Sequence, residues 1–202
     1  MTGSDSPFRG VPPKKWAEKA EALIRVHPLS AKEITDIVLK VWEDILSSTI
    51  GKRFRIGVDI FPKPQIMAFF LHELIPLEVA ARHPRNWRGD KSASEKDLVY
   101  IPDSKYSIEI KASSHSSQIF GNRSYAQPTK FPKKLKSGYC LAINFQKFIV
   151  EGPNPNVIRI RFGWLDHRDW AGQRSPTGQQ ARLSVIAERS KLLQLYPSNS
   201  LP

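Results

Sequence analysis

Apolar residues recur at helical spacing in three stretches of the chain. Trp16 to Arg25 is a short amphipathic pattern. From Ser30 to Ser48, Ile34, Ile37, Val38, Val41, Trp42, Ile45 and Leu46 line one face of a longer helix. Ser30 and Glu33 have the spacing of a capping box at its start, and Gly51 follows as a stop. That stripe suits the core better than an interface between chains. A third pattern runs from about Pro64 to Ala81, with Pro76 expected to kink it.

Further on the period shortens. Asp97–Ile101 and Tyr106–Lys111 flank Pro102-Asp103-Ser104-Lys105, turn chemistry that predicts a hairpin. Gly138–Val150 and Asn156–Trp164 read as two more strands, and Thr177 with Gln180 as the start of a helix carrying Leu183, Ile186 and Leu193. Residues 82–96 and 113–137 are polar and irregular. Residues 1–13, with three prolines, read as a flexible arm. The rest, 14–202, reads as one domain: a helical part over 14–52 and a core over 53–202. The order predicts an α/β (α+β) fold with a small mixed central sheet flanked by helices.

A length of 202 residues suits one domain with a real core, and 40% hydrophobic with 25% charged residues reads as globular. The longest apolar run, Ile66 to Leu71, is six residues and cannot span a bilayer. The first ten residues lack the apolar core of a signal peptide. Cys140 is the single cysteine, which excludes an internal disulfide and a Cys-pair zinc site. The expectation is a cytoplasmic protein without a membrane partner. A net charge of +12 then points to a polyanion, and phosphate backbones are the commonest one.

The chemistry centres on Asp97, Glu109 and Lys111. Alternation puts Glu109 and Lys111 on one face of their strand and Ile108 and Ile110 on the other. With Asp103 and Ser104 as the loop, Asp97 falls opposite residue 110; with a three-residue loop over 102–104, it falls opposite Glu109. Either register brings the three side chains close. Paired carboxylates repel unless a cation offsets the charge, and an all-oxygen site suits magnesium, which keeps waters and touches phosphates. Lys111 could hold a phosphate oxygen or orient a water; burial would lower its pKa while the carboxylates push the other way. The bland alternative is an amphipathic hairpin with a salt bridge. The basic chain, the placed turn and the apolar alternation favour catalysis. None of the five histidines stands two residues before a lysine, and no Gly-rich phosphate loop is present.

Asp97, a turn and Glu109-Ile110-Lys111 together resemble the PD-(D/E)xK nuclease superfamily, with Lys96 standing where its first half-motif carries proline. Trp87-Arg88-Gly89-Asp90, Glu95–Tyr100, Ile119–Tyr125 and Arg161–His167 are similar to ScaI-like restriction endonucleases, across most of 65–195. The resemblance implies a restriction-endonuclease-like core and Mg2+-dependent hydrolysis of double-stranded DNA. It implies that Asp97, Glu109 and the Ile110 carbonyl bind metal, that Lys111 acts beside the attacking water, and that an acidic residue on the preceding helix assists. Glu78, ahead of Glu73, is the candidate for that last role, against an ordinary solvated face.

The polar segment after Lys111 is the candidate DNA-reading element. Arg123 can bind guanine and Asn122, Gln118 or Gln127 adenine, while Ser113 and His115 stand within reach of phosphate. Lys130, Lys133, Lys134 and Lys136 form a basic cluster suited to the backbone. Arg159 and Arg161 lead into Trp164, Asp166, His167, Asp169 and Trp170, which the resemblance marks as a second reading or dimer-forming element; for Trp164, packing at a strand end is the preferred reading. A palindromic site calls for a homodimer. The restriction reading implies a paired DNA methyltransferase. A structure-specific repair nuclease and a non-catalytic DNA-binding protein are the competing functions.

Overall fold

The computed structural model describes residues 6–127, 136–175 and 177–197. The helices are α1 (Trp16–Arg25), α2 (Ala31–Ser47), α3 (Pro64–Arg82) and α4 (Val185–Lys191). The strands are β1 (Thr49–Ile50), β2 (Phe54–Arg55), β3 (Trp87–Gly89), β4 (Leu98–Tyr100), β5 (Ile108–Ser113), β6 (Phe120–Asn122), β7 (Gly138–Phe145), β8 (Val157–Leu165), β9 (Trp170–Gly172), β10 (Gln180–Leu183) and β11 (Leu192–Tyr196). The frame is a six-stranded mixed sheet in the order β11-β8-β7-β5-β4-β3, in which only β5 and β7 run parallel. A three-stranded sheet, β6-β10-β9, and the β1-β2 hairpin complete the set. The expected mixed α+β architecture is present. Among the described residues no helix is long and apolar enough to cross a membrane.

Two cores lie on the two faces of the sheet. On one, Ile108, Ile110, Leu141 and Ile143 pack with the buried stripes of α2 and α3, including Ile37, Val41, Leu71 and Ile75. On the other, Cys140, Ala142 and Leu165 pack with Trp170, Ala181, Leu183 and Ala187. The α2 stripe is therefore core, and the Trp42 indole donates to the Pro155 carbonyl at 2.8 Å. Ser30 caps α2 by accepting from Glu33 N, as expected, but the Glu33 carboxylate pairs with His83 at the end of α3 instead of closing the capping box. Gly163 is where the chain entering β11 crosses β8: a Cβ there would stand 1.9 Å from the Lys191 carbonyl.

Several expectations are corrected. The helix predicted from Thr177 is a strand, β10, followed by a one-to-two-turn helix capped by Ser184. Ala181 and Leu183 are buried while Gln180 and Arg182 are exposed, a period of two that the wider helical spacing obscured. The irregular stretch 82–96 contains the edge strand β3. The flexible arm does not extend to residue 13: Phe8 is buried between the rings of Trp16 and Trp164, at 6.1 and 6.2 Å, with Lys191 Nζ 4.4 Å from its centre. One buried aromatic offsets the entropy of ordering a short segment.

Candidate active site

The hairpin strands meet with Leu98 opposite Ile108, the register of the three-residue loop; extended by one position, it sets Asp97 across from Glu109. The connection is not that tight turn, however. Asp103 caps a 3-10 turn over Ser104–Tyr106, and the Ser107 hydroxyl takes the Tyr100 amide. Because β4 begins at Leu98, nothing on its backbone meets the Ile110 amide. The Asp97 carboxylate does so instead, accepting at 2.7 Å. This pins Asp97 beside β5.

Glu109 and Lys111 point to the sheet face opposite Ile108 and Ile110, as alternation requires. Glu109 is buried, and Lys111 Nζ donates to its Oε1 at 2.5 Å and to the Ile110 carbonyl at 3.2 Å. The Tyr125 hydroxyl also donates to Oε1. Lys96 Nζ lies 3.8 Å from Oε2. Burial would lower the Lys111 pKa, but the Glu109 and Asp97 charges outweigh it and hold the ammonium above the ordinary lysine value. The carboxylate and carbonyl oxygens thus already converge on a cation. A divalent ion fits this donor set: Asp97, Glu109 and the Ile110 carbonyl are hard oxygen ligands. Among the described residues no group of three or more His, Cys, Asp and Glu side chains could hold a metal by itself.

The helix contribution differs from expectation. His72, on α3, stands 3.6 Å from Asp97 Oδ2. Glu73 and Glu78 lie roughly 100° and 120° round the helix from it, on either side. Glu73 is exposed, and Glu78 is held by Arg82 at 2.8 Å and Lys40 of α2 at 3.5 Å. His72, Lys96 and Tyr125 are the site neighbours that sequence reasoning missed. Only Lys96, adjacent to Asp97, carried any signal; the other two depend on how α3 and the small sheet dock.

The polar segment after Lys111 wraps over the site. Asn144, fully buried on β7, donates to the carbonyls of His115 and Gln118, at 2.7 and 3.2 Å. Its Oδ1 accepts from Arg161 at 2.7 Å, and Arg161 also donates to the Ser117 carbonyl and pairs with Glu188 of α4. The Ser113 hydroxyl accepts from the His115 amide, and the His115 ring accepts from the amides of Ser117 and Gln118. His115, Asn122 and Gln127 are exposed along the segment. Asn122 caps the 3-10 turn that carries Tyr125, and Arg123 donates to the carbonyls of Ser175 and Gly178. Lys130, Lys133 and Lys134 lie outside the described residues. Trp164 packs as expected, and Asp166 and Asp169 are buried, capping a 3-10 turn, with Asp169 paired to Lys191 at 2.7 Å.

Comparison with known proteins adds a family. A family model described as ScaI restriction endonuclease matches residues 6–196. The type II restriction enzyme ScaI of Streptomyces caespitosus is 49% identical over 196 residues, covering 96% of this chain and 86% of that enzyme. No solved structure matches significantly.

Proposed function

The chain belongs to the ScaI restriction endonuclease family, and from that premise we propose that it is a type II site-specific deoxyribonuclease acting on double-stranded DNA with Mg2+. The observation that carries the reading is that Glu109 and the Ile110 carbonyl both accept from the Lys111 ammonium while Asp97 is fixed beside them on the Ile110 amide. The remaining parts of the proposal are a cytoplasmic homodimer, one centre per strand of a palindromic site, and a methyltransferase that protects host DNA.

In hydrolysis the oxygen of a water forms a bond to phosphorus and the bond from phosphorus to a bridging oxygen breaks. One proton leaves the water and one reaches the departing oxygen. A bound divalent cation supplies charge neutralisation at the phosphate and makes the attacking water more acidic. Asp97 is held rigid by the Ile110 amide. Tyr125 fixes the orientation of Glu109. Asp97, Glu109 and the Ile110 carbonyl would hold the cation, and Lys111, held protonated by the Glu109 and Asp97 charges, would face the incoming water or a phosphate oxygen. The segment 113–127 positions exposed amide and imidazole side chains against the bases and backbone.

The test is cleavage of plasmid DNA with Mg2+ and with a chelator, alongside Asp97→Ala and Lys111→Ala. Both variants are expected to lose cleavage by at least a thousandfold, about 4 kcal/mol of transition-state stabilisation, while retaining DNA binding. Cleavage undiminished in either one removes that residue from the chemistry.

A further inference from the structure

Lys96 is a second lysine at the same carboxylate. Its Nζ lies 3.8 Å from Glu109 Oε2, on the opposite oxygen from Lys111, and its side chain is only 11% exposed. Gly138 packs against it. Gly138 has φ +141°, a backbone that side-chain-bearing residues rarely adopt, and a Cβ there would stand 3.4 Å from Lys96 Cε and 3.7 Å from Nζ. The lysine is not sealed in, because it also lines an open cleft of about 590 Å³ with Ser94, Tyr106 and Ser137.

Formal charge gives the arrangement a purpose. Asp97 and Glu109 carry two negative charges, and Lys96 and Lys111 two positive ones, so the resting site is neutral. A divalent ion leaves it doubly positive. The five-coordinate phosphorus state, a diester anion plus a hydroxide, is doubly negative. With one lysine the match fails by a full charge in a poorly solvated site, where an uncompensated charge is costly. Resting on the nuclease reading above, we propose that Lys96 is a second catalytic cation: it braces Glu109 before metal enters and then, on its flexible stem, pairs with the phosphate oxygen charge that develops as water attacks.

This assignment predicts opposite signs in two measurements. Removing a positive charge beside a metal ligand tightens metal binding, while removing a phosphate contact slows cleavage. Lys96→Met is compared with wild type by calorimetric titration of Mg2+ without DNA, and by single-turnover cleavage at saturating Mg2+. Mg2+ binding at least as tight as wild type is expected, with cleavage slower by roughly a hundredfold or more, the scale of one lost transition-state contact, and not restored by excess metal. Lys96→Gln keeps length and a polar end without charge, and decides the matter if the Met variant does not fold. Wild-type cleavage in the neutral variants, or Mg2+ binding weakened in proportion to cleavage, overturns the assignment; the latter makes Lys96 only a brace. A wild-type protein that cuts no DNA overturns the nuclease reading itself and this assignment with it, an outcome distinct from either.

Discussion

Glu109 has more asked of it than any other residue in the molecule. One oxygen accepts from both Tyr125 and Lys111, and the other faces Lys96. Tyr125 comes from the 3-10 turn within the candidate reading segment, and Lys111 and Lys136 stand over its ring at 4.6 and 4.5 Å. Its hydroxyl therefore links the candidate reading segment to the proposed metal ligand Glu109. Tyr125→Phe keeps the ring and removes only that link. Loss of a ligand's supporting hydrogen bond typically costs 10–100-fold in metal affinity, so Mg2+ binding measured calorimetrically should weaken by about tenfold with melting little changed. Unchanged Mg2+ affinity would show that Glu109 holds its place without Tyr125.

At the scale of elements, the loop from 113 to 119 is tied from beneath by two partners, Asn144 on β7 and Arg161 on β8, and Glu188 on α4 holds Arg161 in turn. Asn144→Ala strips the partners from buried carbonyls and from Arg161. Each buried polar group left unpaired costs about 1–3 kcal/mol. The variant should lose at least about 2 kcal/mol in denaturant unfolding and discriminate less sharply between cognate and one-base-altered sites. A loss below about 0.5 kcal/mol would mean that the loop stands by other contacts. The same scale explains what could be read from sequence. The helices α1, α2 and α3 have long, regular apolar stripes, and β5 has a clean alternation, so their positions and the Asp97–Glu109–Lys111 grouping were legible. β10 was not, because Leu183 and Ile186 also fit helical spacing and a four-residue strand offers few repeats. His72 was illegible for a different reason: Glu73 and Glu78 have the expected chemistry, but the docking rotation of α3, set by Leu71, Ile75 and Val79 in the core, turns the imidazole toward Asp97 instead. Phe8 was hidden by its polar, proline-rich surroundings.

The whole molecule is a basic body, +12 in net charge, with two hydrophobic layers and, between a large sheet and a small one, the Glu109–Lys111–Lys96 charge cluster. Net charge draws it to DNA without choosing a sequence, and binding of that kind weakens steeply with salt. On the function proposed above, choice belongs to the exposed side chains of segment 113–127, and cutting to the buried cluster. The most direct measurement joins these: digest a linear phage genome with Mg2+, with Asp97→Ala as the control, and sequence both ends of every fragment. One short sequence with two-fold symmetry at all ends, absent with the variant, is the predicted result. Ends scattered over unrelated sequences, or cutting confined to branched DNA, would contradict a site-specific enzyme.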